Sequence, residues 1–128
     1  MKCTAVIDSN VLISGLTQAE SINHKIISYI ESGNIIPLYN DKIIDEYKSI
    51  LKSEQLNIEK EVVDELIDLI KDNGLEISNR HKDDRVFLIA LASDMIKNSF
   101  TTTDGLKDFP EKLFIIDSTM MSKMIESN

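Results

Sequence analysis

Residues 4–16 read TAVIDSNVLISGL, an apolar run cut by three polar residues and then resumed. Ala5, Val6 and Ile7 form a short apolar run that leads directly into Asp8. Ser9 and Asn10 follow, and then a second apolar run begins. A run this short, broken by polar residues and resumed at once, reads as a strand that ends where a helix starts. Either Asp8 or Ser9 could cap that helix. A second role for Asp8 requires other acids to meet it.

The same strand-then-helix alternation recurs along the chain. Residues 20–32 carry Ile22, Ile26, Ile27 and Ile30 at helical spacing, and Gly33-Asn34 stops them. IIPLY, 35–39, reads as a second strand, with Asn40 or Asp41 capping a helix through about residue 52. Ile43, Ile44, Tyr47, Ile50 and Leu51 share one side of that helix. An amphipathic helix is expected over 58–72, a short strand over 75–77 and an apolar helix over 83–97. A weak strand at 99–102, a stronger one at 113–116 and a last helix over 118–126 complete the pattern. Alternation of this kind predicts an α/β fold with a mostly parallel sheet covered on both faces.

The chain has 128 residues with 42% hydrophobic composition, enough for one domain with its own core. There is no repeat, low-complexity tract or Pro/Gly/Ser linker, so 1–128 is read as a single domain. Cys3 is the only cysteine, which excludes an internal disulfide and fits a reducing compartment. It is read as a small core residue. No signal peptide and no run of membrane-spanning length is evident, so the expected location is cytoplasmic. The net charge of −8 argues against a general nucleic-acid coat. Chemistry on a nucleic acid would have to rely on metal ions and local cations such as Lys42, Lys82, Lys107 and Arg85. The same acidity would suit a basic partner.

In a parallel sheet, ligands collect at the carboxyl ends of the strands. Asp8 follows the first strand, and Glu46 lies one turn into the helix after the second. Asp83 and Asp84 open the helix expected after the third, and Asp104 follows the fourth. From Asp84, Phe87, Leu88 and Leu91 lie at i+3, i+4 and i+7, which places Asp84 along a buried face. Asp83 is the alternative, with an N-cap role. Gathered carboxylates repel one another and resist desolvation, so a cluster of four points to a hard divalent cation. Oxygen donors without a Cys or His set indicate Mg²⁺ or Mn²⁺ rather than Zn²⁺. Such ions serve phosphoryl transfer. His24 and His81 are not required by this chemistry.

Four segments carry a resemblance: VIDSNVLISGL, DKIIDEYKSIL, DDRVFLIALA and TTTDGLKDF, in this order along the chain. The chain resembles PIN-domain proteins, in particular the VapC-type toxins of toxin–antitoxin systems. The resemblance implies a Rossmann-like three-layer sandwich. It also implies that Asp8, Glu46, Asp84 and Asp104 form a catalytic metal site, supported by Asn10 and Thr102, with Asp108 as an alternative to Asp104. The activity it implies is Mg²⁺- or Mn²⁺-dependent cleavage of single-stranded RNA; attack by water in line with the leaving 3′-oxygen is expected to leave 5′-phosphate and 3′-hydroxyl ends. A basic antitoxin and a homodimer are the implied partners. The rival reading is a regulatory or partner-binding module that kept the fold without hydrolysis. A receiver domain or a dehalogenase-like phosphatase fits less well, because the latter requires an Asp where Asn10 stands.

Overall fold

The computed structural model describes residues 3–77, 89–92 and 114–127. Strand β1 (Cys3–Ile7) is buried throughout and leads into helix α1 (Ser9–Thr17). Helix α2 (Ile22–Ser32) follows, capped by the Ser21 hydroxyl on the His24 amide and closed by Gly33 at φ 82°. Glycine is favoured there because a side chain is strained at positive φ. Strand β2 (Ile35–Tyr39) ends at Asn40, whose side chain accepts the Ile43 amide at 2.8 Å and so starts helix α3 (Asp41–Leu51). A single 3₁₀ turn (Glu54–Leu56) leads to α4 (Lys60–Asn73) and the short strand β3 (Leu75–Glu76). Strands β4 (Ile89–Ala92) and β5 (Phe114–Asp117) and helix α5 (Ser118–Glu126) complete the described residues.

The described strands form one five-stranded sheet in the order β3-β2-β1-β4-β5, with every pairing parallel. Cys3 registers with Ile35, Ile7 with Leu91, and Ala92 with Asp117. Helix α1 packs on α2 and α3, α4 packs on α2 and α3, and α5 packs on α2. The core joins Val6 and Ile7 of β1 to Ile26 and Ile30 of α2, Ile43 and Tyr47 of α3, and Leu66 and Ile70 of α4. Cys3 lies within it, as expected. No helix among the described residues is long and apolar enough to cross a membrane.

One expected element differs. The helix read over 83–97 contains strand β4, and Leu91 belongs to that strand rather than to a helix face shared with Asp84. The physical reason lies in the run VFLIALA, 86–92. A strand between two parallel neighbours is covered on both faces, so it carries no polar alternation to tell it from a buried helix. The strand expected at 99–102 lies outside the described residues.

Candidate functional site

All five strands run the same way, so their carboxyl ends share one edge. The chain moves from β1 outward through β2 to β3 and then returns to place β4 on the other side of β1. That reversal makes the carboxyl ends of β1 and β4 the topological switch point, where open α/β sheets bind ligands. Asp8 is the first residue beyond β1 at this point.

Asp8 is wholly buried, as is Ser9 beside it. It occupies the N-cap position of α1 with extended backbone, yet its carboxylate makes no capping bond to the helix amides. Oδ2 instead accepts from the Asn10 side-chain amide at 3.1 Å. The other N-cap acid in an equivalent position behaves differently. Asp117 closes β5 and its Oδ1 accepts the Met120 amide at 2.8 Å, an ordinary cap for α5. Ser21 and Asn40 also cap with their side chains. Burying a carboxylate is costly unless polar groups answer it. The Asn10 amide and the amino end of α1 both favour negative charge there.

Helix α3 supplies the second acid. Its apolar face buries Ile43, Ile44, Tyr47 and Leu51. Glu46 borders that face, half-buried, with Oε2 shielded from solvent, whereas Asp45 is exposed. Tyr47 is 1% exposed and its hydroxyl donates to the carbonyl of Ile7, the residue before Asp8. Burial raises the phenol well above its usual pKa, and the charges of Asp8 and Glu46 push it further the same way. Both carboxylates therefore lie within electrostatic reach of one hydroxyl at the end of β1.

Of the residues singled out in the sequence, Asp8, Asn10 and Glu46 fall within the described structure: Asn10 bonds Asp8 at this edge, and Glu46 lies on α3 beside Tyr47, which bonds the end of β1. Asp83, Asp84, Thr102, Asp104 and Asp108 lie outside the described residues. Among the described residues, no group of three or more His, Cys, Asp or Glu converges as a metal site. The donors that Asp8 and Glu46 offer are hard oxygens, the type that Mg²⁺ and Mn²⁺ take. His24 is exposed and its ring Nδ1 lies 3.0 Å from the Gly15 carbonyl, a packing role between α1 and α2. Helical spacing places Tyr47 on the buried face, but its hydroxyl contact is not legible there, since no periodicity encodes the partner of a side-chain tip.

Residues 4–115 match the family model of the PIN domain. No curated protein matches the chain, and no solved structure does. The match spans most of the chain, which therefore belongs to the PIN-domain family, with a nuclease-type fold. PIN domains are generally nucleases and typically use divalent metal ions.

Proposed function

We propose that this PIN-domain protein is a metal-dependent endoribonuclease that hydrolyses phosphodiester bonds of single-stranded RNA, acting as the toxin of a toxin–antitoxin pair. The observation that carries the nuclease reading is Asp8: a buried carboxylate at the switch point that does not cap its own helix. Asp8 and Glu46 would hold Mg²⁺ or Mn²⁺ together with Asp84 and Asp104, Asp83 being the alternative to Asp84. Asn10 orients Asp8 through its amide, and Thr102 is assigned a similar supporting role. When bound, the ion supplies Lewis-acid charge neutralisation at the scissile phosphate and lowers the pKa of a water. The scissile phosphate would sit at the carboxyl end of β1, where Asp8 lies. With a net charge of −8, the chain needs such a cation between its acidic edge and a polyanion.

The toxin assignment rests on the resemblance to VapC-type sequences. A basic antitoxin fits the acidity of the protein, and a homodimer fits the family.

The test is calorimetric titration of Mg²⁺ and Mn²⁺ into the wild type and Asp8→Asn, beside cleavage of a mixed single-stranded RNA pool. The expected result is metal binding and cleavage in the wild type, 5′-phosphate products, and loss of both in the variant. A folded wild type that binds neither ion at millimolar concentration and cuts nothing would overturn the enzyme reading in favour of a partner-binding role.

A further inference from the structure

The geometry points to Tyr47 as a positioning residue: by donating to the Ile7 carbonyl it locks α3 onto the end of β1 and sets the placement of Glu46 against Asp8. This inference rests on the metal-site reading of those two acids.

Four observations support it. First, the contact spans 40 positions of sequence and joins the two segments that carry the acids, each acid being the chain neighbour of one bonding partner. Tyr47 follows Glu46, and Ile7 precedes Asp8. With one bond separating each pair of neighbours, little backbone freedom remains between the two carboxylates. Second, the ladder between β1 and β2 registers only from Cys3 to Ala5, paired with Ile35 to Pro37. Ile7 lies two residues past its last pair, so on that side the strand end is held by α3 rather than by β2. Third, Tyr47 is among the largest fully buried side chains, and Ile7 is wholly buried too. A buried carbonyl needs a donor, and a donor held in a packed core has one geometry. Fourth, α3 cannot slide to compensate. Its start is fixed by the Asn40 cap at the end of β2, and Ile43, Ile44 and Leu51 pack on the same face as Tyr47.

A phenol suits this task better than a charged donor. Lysine or arginine at the position would pair with Asp8 or Glu46 and compete with a cation for them. The hydroxyl is neutral, and its proton is committed to the Ile7 carbonyl. It can therefore hold the backbone without drawing on the acids.

The test compares Tyr47→Phe with Tyr29→Phe on the full chain. Both remove one hydroxyl and keep the ring. Tyr29 donates to Glu126 at 2.7 Å and lies 3.2 Å from the Ser122 hydroxyl, an α2–α5 contact with no bond to the acids. Mn²⁺ affinity is read by calorimetry and melting temperature without metal by circular dichroism. Removing a group that orients metal ligands lowers affinity by about 10- to 100-fold. The expected result is a loss of that size for Tyr47→Phe, wild-type affinity for Tyr29→Phe, and folded protein in both. Wild-type affinity in Tyr47→Phe, with Asp8→Asn inactive in binding, would overturn the positioning role and leave the metal site standing. A wild type that binds no Mn²⁺ would overturn the metal site and this inference together. A second measurement needs no variant. With ring-labelled tyrosine, Mg²⁺ is expected to shift the Tyr47 resonances along the binding isotherm and leave those of Tyr29 in place. Tyr47 resonances unmoved at saturating Mg²⁺ would overturn the proposal.

Discussion

Replacing Gly15 by Ala sets two effects of similar size against each other. Gly15 is buried where α1 crosses α2. A Cβ there would stand 2.6 Å from Ile27 Cδ1, 2.8 Å from the Asn23 carbonyl oxygen and 3.2 Å from its carbon. In favour of alanine, helix propensity gains about 1 kcal/mol. Against it, overpacking costs about 1–3 kcal/mol. The identity of the clashing atoms decides which wins. The Ile27 methyl is the far end of a flexible side chain and can turn away. The Asn23 carbonyl is backbone in the first turn of α2, and the Asn23 side chain is itself held by the buried Ser118 hydroxyl of α5. The helices must therefore separate, against the His24–Gly15 contact that draws them together. The upper part of the cost range applies, and the net expectation is a loss of about 1–2 kcal/mol. At this chain length that corresponds to a fall in melting temperature of roughly 4–8 °C. Urea unfolding should show a lower midpoint with an unchanged slope. Adding Ile27→Val in the Gly15→Ala background should recover only part of the loss, since it removes Cδ1 but not the carbonyl. A double-mutant cycle isolates that share. A midpoint equal to or above the wild type would refute the steric argument, as would full recovery by Ile27→Val.

Two further outcomes follow from local bonds. Asn40→Ala removes the cap that starts α3 and should cost about 1 kcal/mol in urea unfolding; an unchanged midpoint would show that the helix needs no side-chain acceptor there. Glu126→Gln tests a surface cluster through pH. The Tyr29 hydroxyl, and then Lys25 at 3.0 Å, hold the Glu126 carboxyl below its ordinary range. A depressed carboxyl contributes stability above its unfolded pKa and loses it as the pH falls through the folded one. The wild type should thus melt higher than Glu126→Gln at neutral pH, with the gap closing below about pH 4, near the ordinary glutamate value. A gap that persists unchanged at pH 3 would contradict the linkage.

The elements legible in the sequence are those with a period and a punctuation mark. Helix α2 has isoleucines at 26, 27 and 30, a serine cap and a left-handed Gly33, and its limits lie within two residues of expectation. Helix α3 has the same kind of signature in Asn40 and its buried face. Strand β4 is illegible because a strand between two parallel neighbours needs no polar alternation, and the run at 86–92 fits a buried helix equally well. At the site, helical spacing put Glu46 at the border of the core, and the structure has it half-buried there. The Tyr47–Ile7 bond was illegible for a different reason: it depends on how two segments meet, which neither segment encodes alone.

The deepest ambiguity concerns Asp8 itself, and the chain contains its own control. VIDSN at 6–10 and IIDST at 115–119 are nearly the same string. Each is an apolar strand end, then Asp, Ser and a polar residue entering a helix, and each Asp has extended backbone. Read locally, both are helix caps. Only one behaves so, since Asp117 takes the Met120 amide while Asp8 makes no cap bond. Two differences separate them. Asn10 offers Asp8 a side-chain amide, whereas Thr119 stands at the matching position and is exposed. Strand β1 is central and beside the switch point, whereas β5 is at the edge of the described sheet. At the end of β5, Asp117 is half-buried and its carboxylate serves as the cap of α5. A central strand delivers the same acid into a buried crevice, between neighbours whose own ends face it, and there a carboxylate can be turned to ligand chemistry. The residue type is shared between the two strings, and the structure separates them by their side-chain bonds: Asp117 caps its helix, and Asp8 accepts from Asn10.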